Sequence, residues 1–114
     1  MNRIVLIIDD ETDMCLLIKN YLVKRNYAVH TAHTLQDGLR LLPEINPDVL
    51  LLDDHLPDGL GWKEAPAIKT IFPKLKITLI SGAETRDACA SIDGFLFQVL
   101  EKPVTLMTIE NYLY

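Results

Sequence analysis

Cysteine is scarce: Cys15 and Cys89 are the only two in 114 residues. Neither sits in metal-ligand spacing, which argues against a zinc framework or a disulfide-stapled scaffold. Both fall in stretches that read as helical, so reduced, packed thiols in a cytoplasmic protein are expected. Long apolar runs are also missing. The first run, Ile4 to Ile8, is five residues, too short for a secretory signal. Nothing approaches the ~18 apolar residues of a membrane span, so no membrane association is expected. Basic charge is in deficit, with 11 Lys and Arg against 16 Asp and Glu and a net charge of −5. That balance lacks the basic footprint of a nucleic-acid binder. No internal repeat, low-complexity tract or linker interrupts the chain.

What remains is ordinary in bulk. The chain is 49% hydrophobic and 24% charged, a globular composition. Its length fits one domain over 1–114 with a core that needs no disulfide or metal. The informative feature is where polar residues stand. Asp9 and Asp10 follow Ile4-Val5-Leu6-Ile7-Ile8, and Asp53 follows Val49-Leu50-Leu51-Leu52. Ser81 follows Ile77-Thr78-Leu79-Ile80, and Lys102-Pro103 follows Phe97-Gln98-Val99-Leu100-Glu101. Buried parallel strands read as continuous apolar runs, and open α/β sheets bind ligands beyond the carboxyl ends of their strands.

Amphipathic stretches separate these runs. A first strand is expected near 3–9 and a first helix near 12–25, with Met14, Leu17, Ile18, Tyr21 and Leu22 on its inner face. Asp10 to Asp13 offer capping carboxylates for it. A second strand falls near 28–32, and Thr34 caps a helix that runs to Leu42 before Pro43. The third strand is 49–53, residues 56–61 read as a loop, and a third helix covers 62–72 with Pro66 in its first turns. A fourth strand at 76–81 precedes a fourth helix near 84–92 that stops at Gly94. A fifth strand near 96–100 and a last helix over 105–114 complete five βα units, which argue for a parallel sheet covered on both faces.

If the strand ends are neighbours, Asp9, Asp10 and Asp53 crowd together. Two unit charges ~4 Å apart repel by roughly 4 kcal/mol at an effective dielectric near 20. A hard cation relieves that repulsion, and carboxylates without a soft ligand nearby suit Mg²⁺, with Mn²⁺ as a substitute. Lys102 adds a compact positive charge. His30 and His33 read as a surface pair, Trp62 and Phe72 as third-helix packing, and Met14 and Met107 as core fillers.

In these residues the chain resembles the receiver domains of two-component response regulators, of the chemotaxis-regulator type. The resemblance rests on Asp9-Asp10-Glu11, on Asp53, Ser81 and Lys102-Pro103, and on Pro57 and Gly61 in their spacing from Asp53. It implies a flavodoxin-like, doubly wound, five-stranded parallel sheet in order 2-1-3-4-5. It implies that Asp53 accepts a phosphoryl group from a histidine kinase or a histidine phosphotransfer protein. Asp9 and Asp10 would hold Mg²⁺ with Asp53 and the backbone carbonyl of His55, while Ser81 and Lys102 contact phosphoryl oxygens. Apart from self-catalysed phosphorylation and slow autodephosphorylation, no enzyme activity is implied. The face of the fourth helix, fifth strand and last helix would be read by an output partner or form a homodimer.

Three departures accompany the resemblance. Asp54 stands where that family usually has an apolar residue, and Val99 where it often has an aromatic one. Ser81 replaces the commoner Thr. Asp54 is expected to be solvated or bonded within its loop rather than a second acceptor. Val99 is too small and stiff to act as a side-chain rotor, which places the response on Ser81, Gly82-Ala83 and a loosely anchored fourth helix bearing Glu84, Arg86 and Asp87. Two other functions compete: a degenerate receiver that acts only as an interaction module, and an Asp-nucleophile phosphatase. The second expects an acid/base Asp where this chain has His55.

Overall fold

The structure is a computed structural model that describes residues 3–82 and 89–113. Its strands are β1 (Ile4–Ile8), β2 (Ala28–Ala32), β3 (Val49–Asp53), β4 (His55–Leu56), β5 (Gly59–Leu60), β6 (Lys76–Ser81), β7 (Cys89–Ile92) and β8 (Phe95–Glu101). Its helices are α1 (Thr12–Val23), α2 (Leu35–Ile45), α3 (Gly61–Ile71) and α4 (Leu106–Asn111). The main sheet runs β2-β1-β3-β6-β8-β7. Its first five strands are parallel and realise the expected order, and β7 adds an antiparallel edge.

Period-two alternation divides the sheet's side chains between two cores. Leu6, Ile8, Leu50, Leu52, Leu79 and Val99 pack with α2 and α3 residues such as Leu42, Ala65 and Ile68. Val5, Ile7, Val49, Leu51, Ile80 and Leu100 pack with Cys15, Ile18 and Leu22 of α1 and with Ile109 of α4. Both faces are covered, which is why β1 and β3 are apolar up to Asp9 and Asp53. The second layer is tied together by α1 and α4. Glu110 accepts a hydrogen bond from Tyr21 at 2.6 Å and pairs with Arg25 at 2.7 Å.

Helix 2 starts as its sequence implies, with Thr34 Oγ1 accepting from the Asp37 N–H at 3.1 Å. The 56–61 loop adds a second clamp there. It forms the small β4–β5 hairpin, from which Asp58 accepts from Leu35 N at 2.7 Å and Gln36 N at 2.8 Å. These two bonds hold the Asp58 carboxyl below its ordinary pKa. Helix 2 does not stop at Pro43 but carries it in its last turn, ending at Asn46 in the left-handed conformation. Pro66 likewise lies well inside α3, beyond the first turn whose N–H groups are free in any case.

The expected fourth helix near 84–92 is corrected over its last four residues. Residues 83–88 lie outside those described, and 89–92 form β7, antiparallel to β8. The turn is Asp93-Gly94, both at positive φ (49° and 83°), as a two-residue type I′ hairpin requires. Ala90, Ile92, Phe95 and Phe97 face the α2–α3 core, with the two phenyl rings stacked at 6.2 Å. Three placements change as well. Cys89 is exposed on β7 rather than packed in a helix. Leu17 is exposed, its expected inward place on α1 being taken by Cys15. Met107 is 82% exposed and fills no core.

Candidate acidic metal centre

Four strand ends build the site. Asp53 is the last residue of β3, and Asp9 follows the last residue of the neighbouring β1. Each continues the alternation of the side chains facing α1, Val5–Ile7 in one strand and Val49–Leu51 in the other, so both turn to the same side. The carboxylates of Asp9, Asp10 and Asp53 offer oxygens that all lie within 4.8 Å of one another. Asp9 and Asp53 are buried and Asp10 is exposed. The last strand of the parallel set, β8, brings in Lys102, whose backbone N–H donates to the Ser81 carbonyl at 2.8 Å.

The Lys102 ammonium lies 2.9 Å from Glu11 Oε1, 3.2 Å from Asp9 Oδ2 and 3.6 Å from Asp53 Oδ1. Burial alone would lower its pKa. The hydrogen bond to Glu11 and the charges of Asp9 and Asp53 outweigh that and raise it. Burial raises the Asp9 carboxyl, against the Glu11 N–H and Lys102. Asp53 is pushed up to about 6, first by burial and then by the charge of Asp9, with Lys102 pulling the other way. Asp9 Oδ1 accepts from the Glu11 N–H at 2.9 Å. Its Oδ2 is buried and meets Lys102 as an ion pair without hydrogen-bond alignment. A buried carboxylate oxygen lacking a hydrogen bond, beside two other carboxylates, is a position a hard cation satisfies. The residues present therefore fit Mg²⁺ or Mn²⁺.

An open cleft of about 790 Å³ stands over this cluster, lined among others by Asp10, Glu11, Met14, Asp53, His55, Gly82, Lys102 and Val104. His55 thus borders the site, with its imidazole 82% exposed and 3.9 Å from Asp54 Oδ2. Ser81 is buried at the end of β6 and is not among the residues lining the cleft. Asp54 turns away from the cluster. Its Oδ1 accepts from Trp62 N at 3.3 Å, and its carbonyl accepts from Gly61 N at 2.7 Å, so it serves the start of α3. The capping expected of Asp10 to Asp13 is different in detail, since Glu11 occupies the N-cap position of α1 without a side-chain capping bond.

Gly61 has a steric reason. A Cβ there would lie 2.0 Å from the carbonyl oxygen of Asp53. Only glycine lets α3 start against the end of β3. Sequence reading missed His33. Its Nδ1 lies 2.9 Å from the Asp9 carbonyl and must carry the proton there, because a carbonyl only accepts. Its place one residue past β2, which neighbours β1, was the available signal.

The chain matches the response regulator receiver domain family over residues 5–114 and belongs to it. It is 42% identical over 100 residues to the transcriptional regulatory protein KdpE of Mycobacterium tuberculosis, covering 88% of this chain and 44% of that protein. It is 39% identical over 75 residues to the transcriptional regulatory protein CitT of Bacillus subtilis, covering 65% of this chain and 33% of that protein. The chain therefore spans less than half the length of these relatives. Among solved structures, a response regulator receiver domain from Clostridium thermocellum is 29% identical, with a TM-score of 0.81 over 97% of this chain and 90% of that one. No helix among the described residues is long and apolar enough to cross a membrane.

Proposed function

We propose that residues 1–114 form one receiver domain that accepts a phosphoryl group on Asp53. The donor is a phosphohistidine of a histidine kinase or histidine phosphotransfer protein. The supporting observation is the meeting of three carboxylates within 4.8 Å beside the Lys102 ammonium. A carboxylate oxygen of Asp53 attacks phosphorus, the P–N bond breaks, and the imidazole leaves with the bonding electrons. At neutral pH a carboxyl pushed up to about 6 is still mostly ionised, so the nucleophile is available. Asp9, Asp10, Asp53 and the His55 carbonyl would hold Mg²⁺ or Mn²⁺, which neutralises charge on the transferring group. Lys102 supplies the second positive charge, and Ser81 would bond a phosphoryl oxygen once the site tightens.

The product adds roughly one negative charge to the cluster. Asp53 and its surroundings then become a local switch read by an output partner or by a second copy of the chain. With net charge −5, the receiver itself is not the part that contacts nucleic acid; in a longer regulator that task falls to another module.

Mass mapping after treatment with a small phosphodonor and Mg²⁺ tests the reading. Phosphate should appear on Asp53, vanish in Asp53→Asn, persist in Asp54→Asn, and be suppressed by EDTA. Phosphate retained in Asp53→Asn and lost in Asp54→Asn would move the acceptor by one residue. Undiminished labelling in EDTA would remove the metal from the mechanism.

A further inference from the structure

Glu11 stands at the N-cap of α1 and does not cap it. A carboxylate in that position ordinarily accepts from the N–H groups of the first turn. Here the side chain is spent on Lys102, 91 residues away, at 2.9 Å. That is the shortest of the three carboxylate contacts of the ammonium, and the one to Asp53, at 3.6 Å, is the longest. Glu11 and Asp9 together hold the cation on the β1 side of the cluster. The side chain of Glu11 is 56% exposed, whereas that of Lys102 is 15% exposed. An exposed carboxylate therefore pins a largely buried ammonium that the acceptor also needs.

We propose that Glu11 is a positioning residue that draws the Lys102 ammonium out of close contact with Asp53 in the resting receiver and must release it when the phosphoryl group arrives. The second half rests on Asp53 being the acceptor; the first half does not. The argument is one of differential energy. A contact made in the resting state and given up on phosphorylation adds its strength to the barrier. An ion pair with one exposed partner is weak, so release is accessible and the restraint is small. Glutamine at position 11 keeps the size and the backbone of the N-cap and removes the charge.

Two measurements decide it. The first needs no phosphorylation: the ¹⁵N signal of the Lys102 ammonium, assigned by its loss in Lys102→Arg, is followed in the intact chain. In Glu11→Gln it should shift, and its protons should exchange faster with water. An unchanged signal overturns the proposal whether or not the chain is phosphorylated. The second is the bimolecular rate of labelling by acetyl phosphate at saturating Mg²⁺. Glu11→Gln should label about twofold to fivefold faster than wild type, with the gain shrinking at high salt. Asp13→Asn, on the rim of the same cleft, makes the same charge change without an ion pair to Lys102 among the described residues. An equal gain there would mean that lost charge alone draws the donor in, and the positioning role would fall. If wild type takes no phosphate at all, the acceptor reading fails, and the resting contact is judged by the ammonium signal alone.

Discussion

Asp53→Asn should stabilise the protein at neutral and alkaline pH in the absence of divalent metal. In the folded chain the Asp53 carboxyl is pushed up from 3.8 to about 6, mainly by burial and then by Asp9. The folded state thus holds a proton that the unfolded chain releases. The stability tied to that proton is fully present below about 3.8 and is lost as pH rises through about 6. At 1.36 kcal/mol for each tenfold in proton affinity, the difference amounts to ~3 kcal/mol above that window. Asparagine keeps the shape and removes the charge, so the variant escapes most of it. Lys102 keeps Glu11 and Asp9 as partners.

Urea unfolding of wild type and Asp53→Asn in EDTA, from pH 4 to pH 8, measures the effect. The two curves should lie close together near pH 4 and separate with rising pH, the variant ending ~1–3 kcal/mol more stable. Excess Mg²⁺ should then raise wild type more than the variant, because ligand binding to the folded state adds stability by mass action. Equal stability at pH 8 in EDTA would refute the electrostatic account. A gap that widens toward acid would reverse its sign.

Three other substitutions probe the frame around the site. Gly61→Ala places a Cβ 2.0 Å from the Asp53 carbonyl oxygen; it should cost at least ~2 kcal/mol in urea unfolding despite the ~1 kcal/mol helix-propensity gain over glycine. Thr78→Val should be stabilising by ~1 kcal/mol, since the Thr78 hydroxyl is buried without a hydrogen-bond partner among the described residues; a loss in unfolding midpoint would show that the hydroxyl is satisfied. Gly94→Ala should cost ~1 kcal/mol, because residue 94 sits at φ 83°; an unchanged midpoint would argue against the Asp93-Gly94 turn.

The parallel sheet and the meeting of its polar strand ends were legible because the signal was redundant. Apolar residues dominate each central strand, and each run is followed by a residue that apolar burial cannot explain, Asp9, Asp53, Ser81 or Lys102. Thr34 was legible as a cap because its hydroxyl needs only the N–H of Asp37, three residues on. The stretch before Gly94 was misread because a glycine after a helical-looking segment is also what ends a helix. The deciding pattern was the alternation of Ala90, Ile92, Phe95 and Phe97 about Asp93-Gly94, a two-residue hairpin signal. Asp58 was illegible for another reason, and His33 offered only its place after β2. Both bond across the fold, to the start of α2 and to the carbonyl of Asp9, and no local rule reports a contact between distant segments.

The hairpin changes how the site connects to the rest of the molecule. Val99 is buried against the α2–α3 core on β8, with Leu79 beside it in register. Its branched side chain has one stiff rotamer preference. Phe95 and Phe97 pack the same strand into the α2–α3 core. Helix α3, in turn, begins on Asp54: Gly61 N donates to the Asp54 carbonyl and Trp62 N to its carboxylate. The Trp62 indole reaches across to the Ile80 carbonyl at 3.2 Å, one residue before Ser81. The residue after β3, the start of α3 and the end of β6 are joined by three hydrogen bonds, through Asp54 and Ile80. A displacement of the Asp53 backbone therefore bears directly on the start of α3 and, through Trp62, on the end of β6.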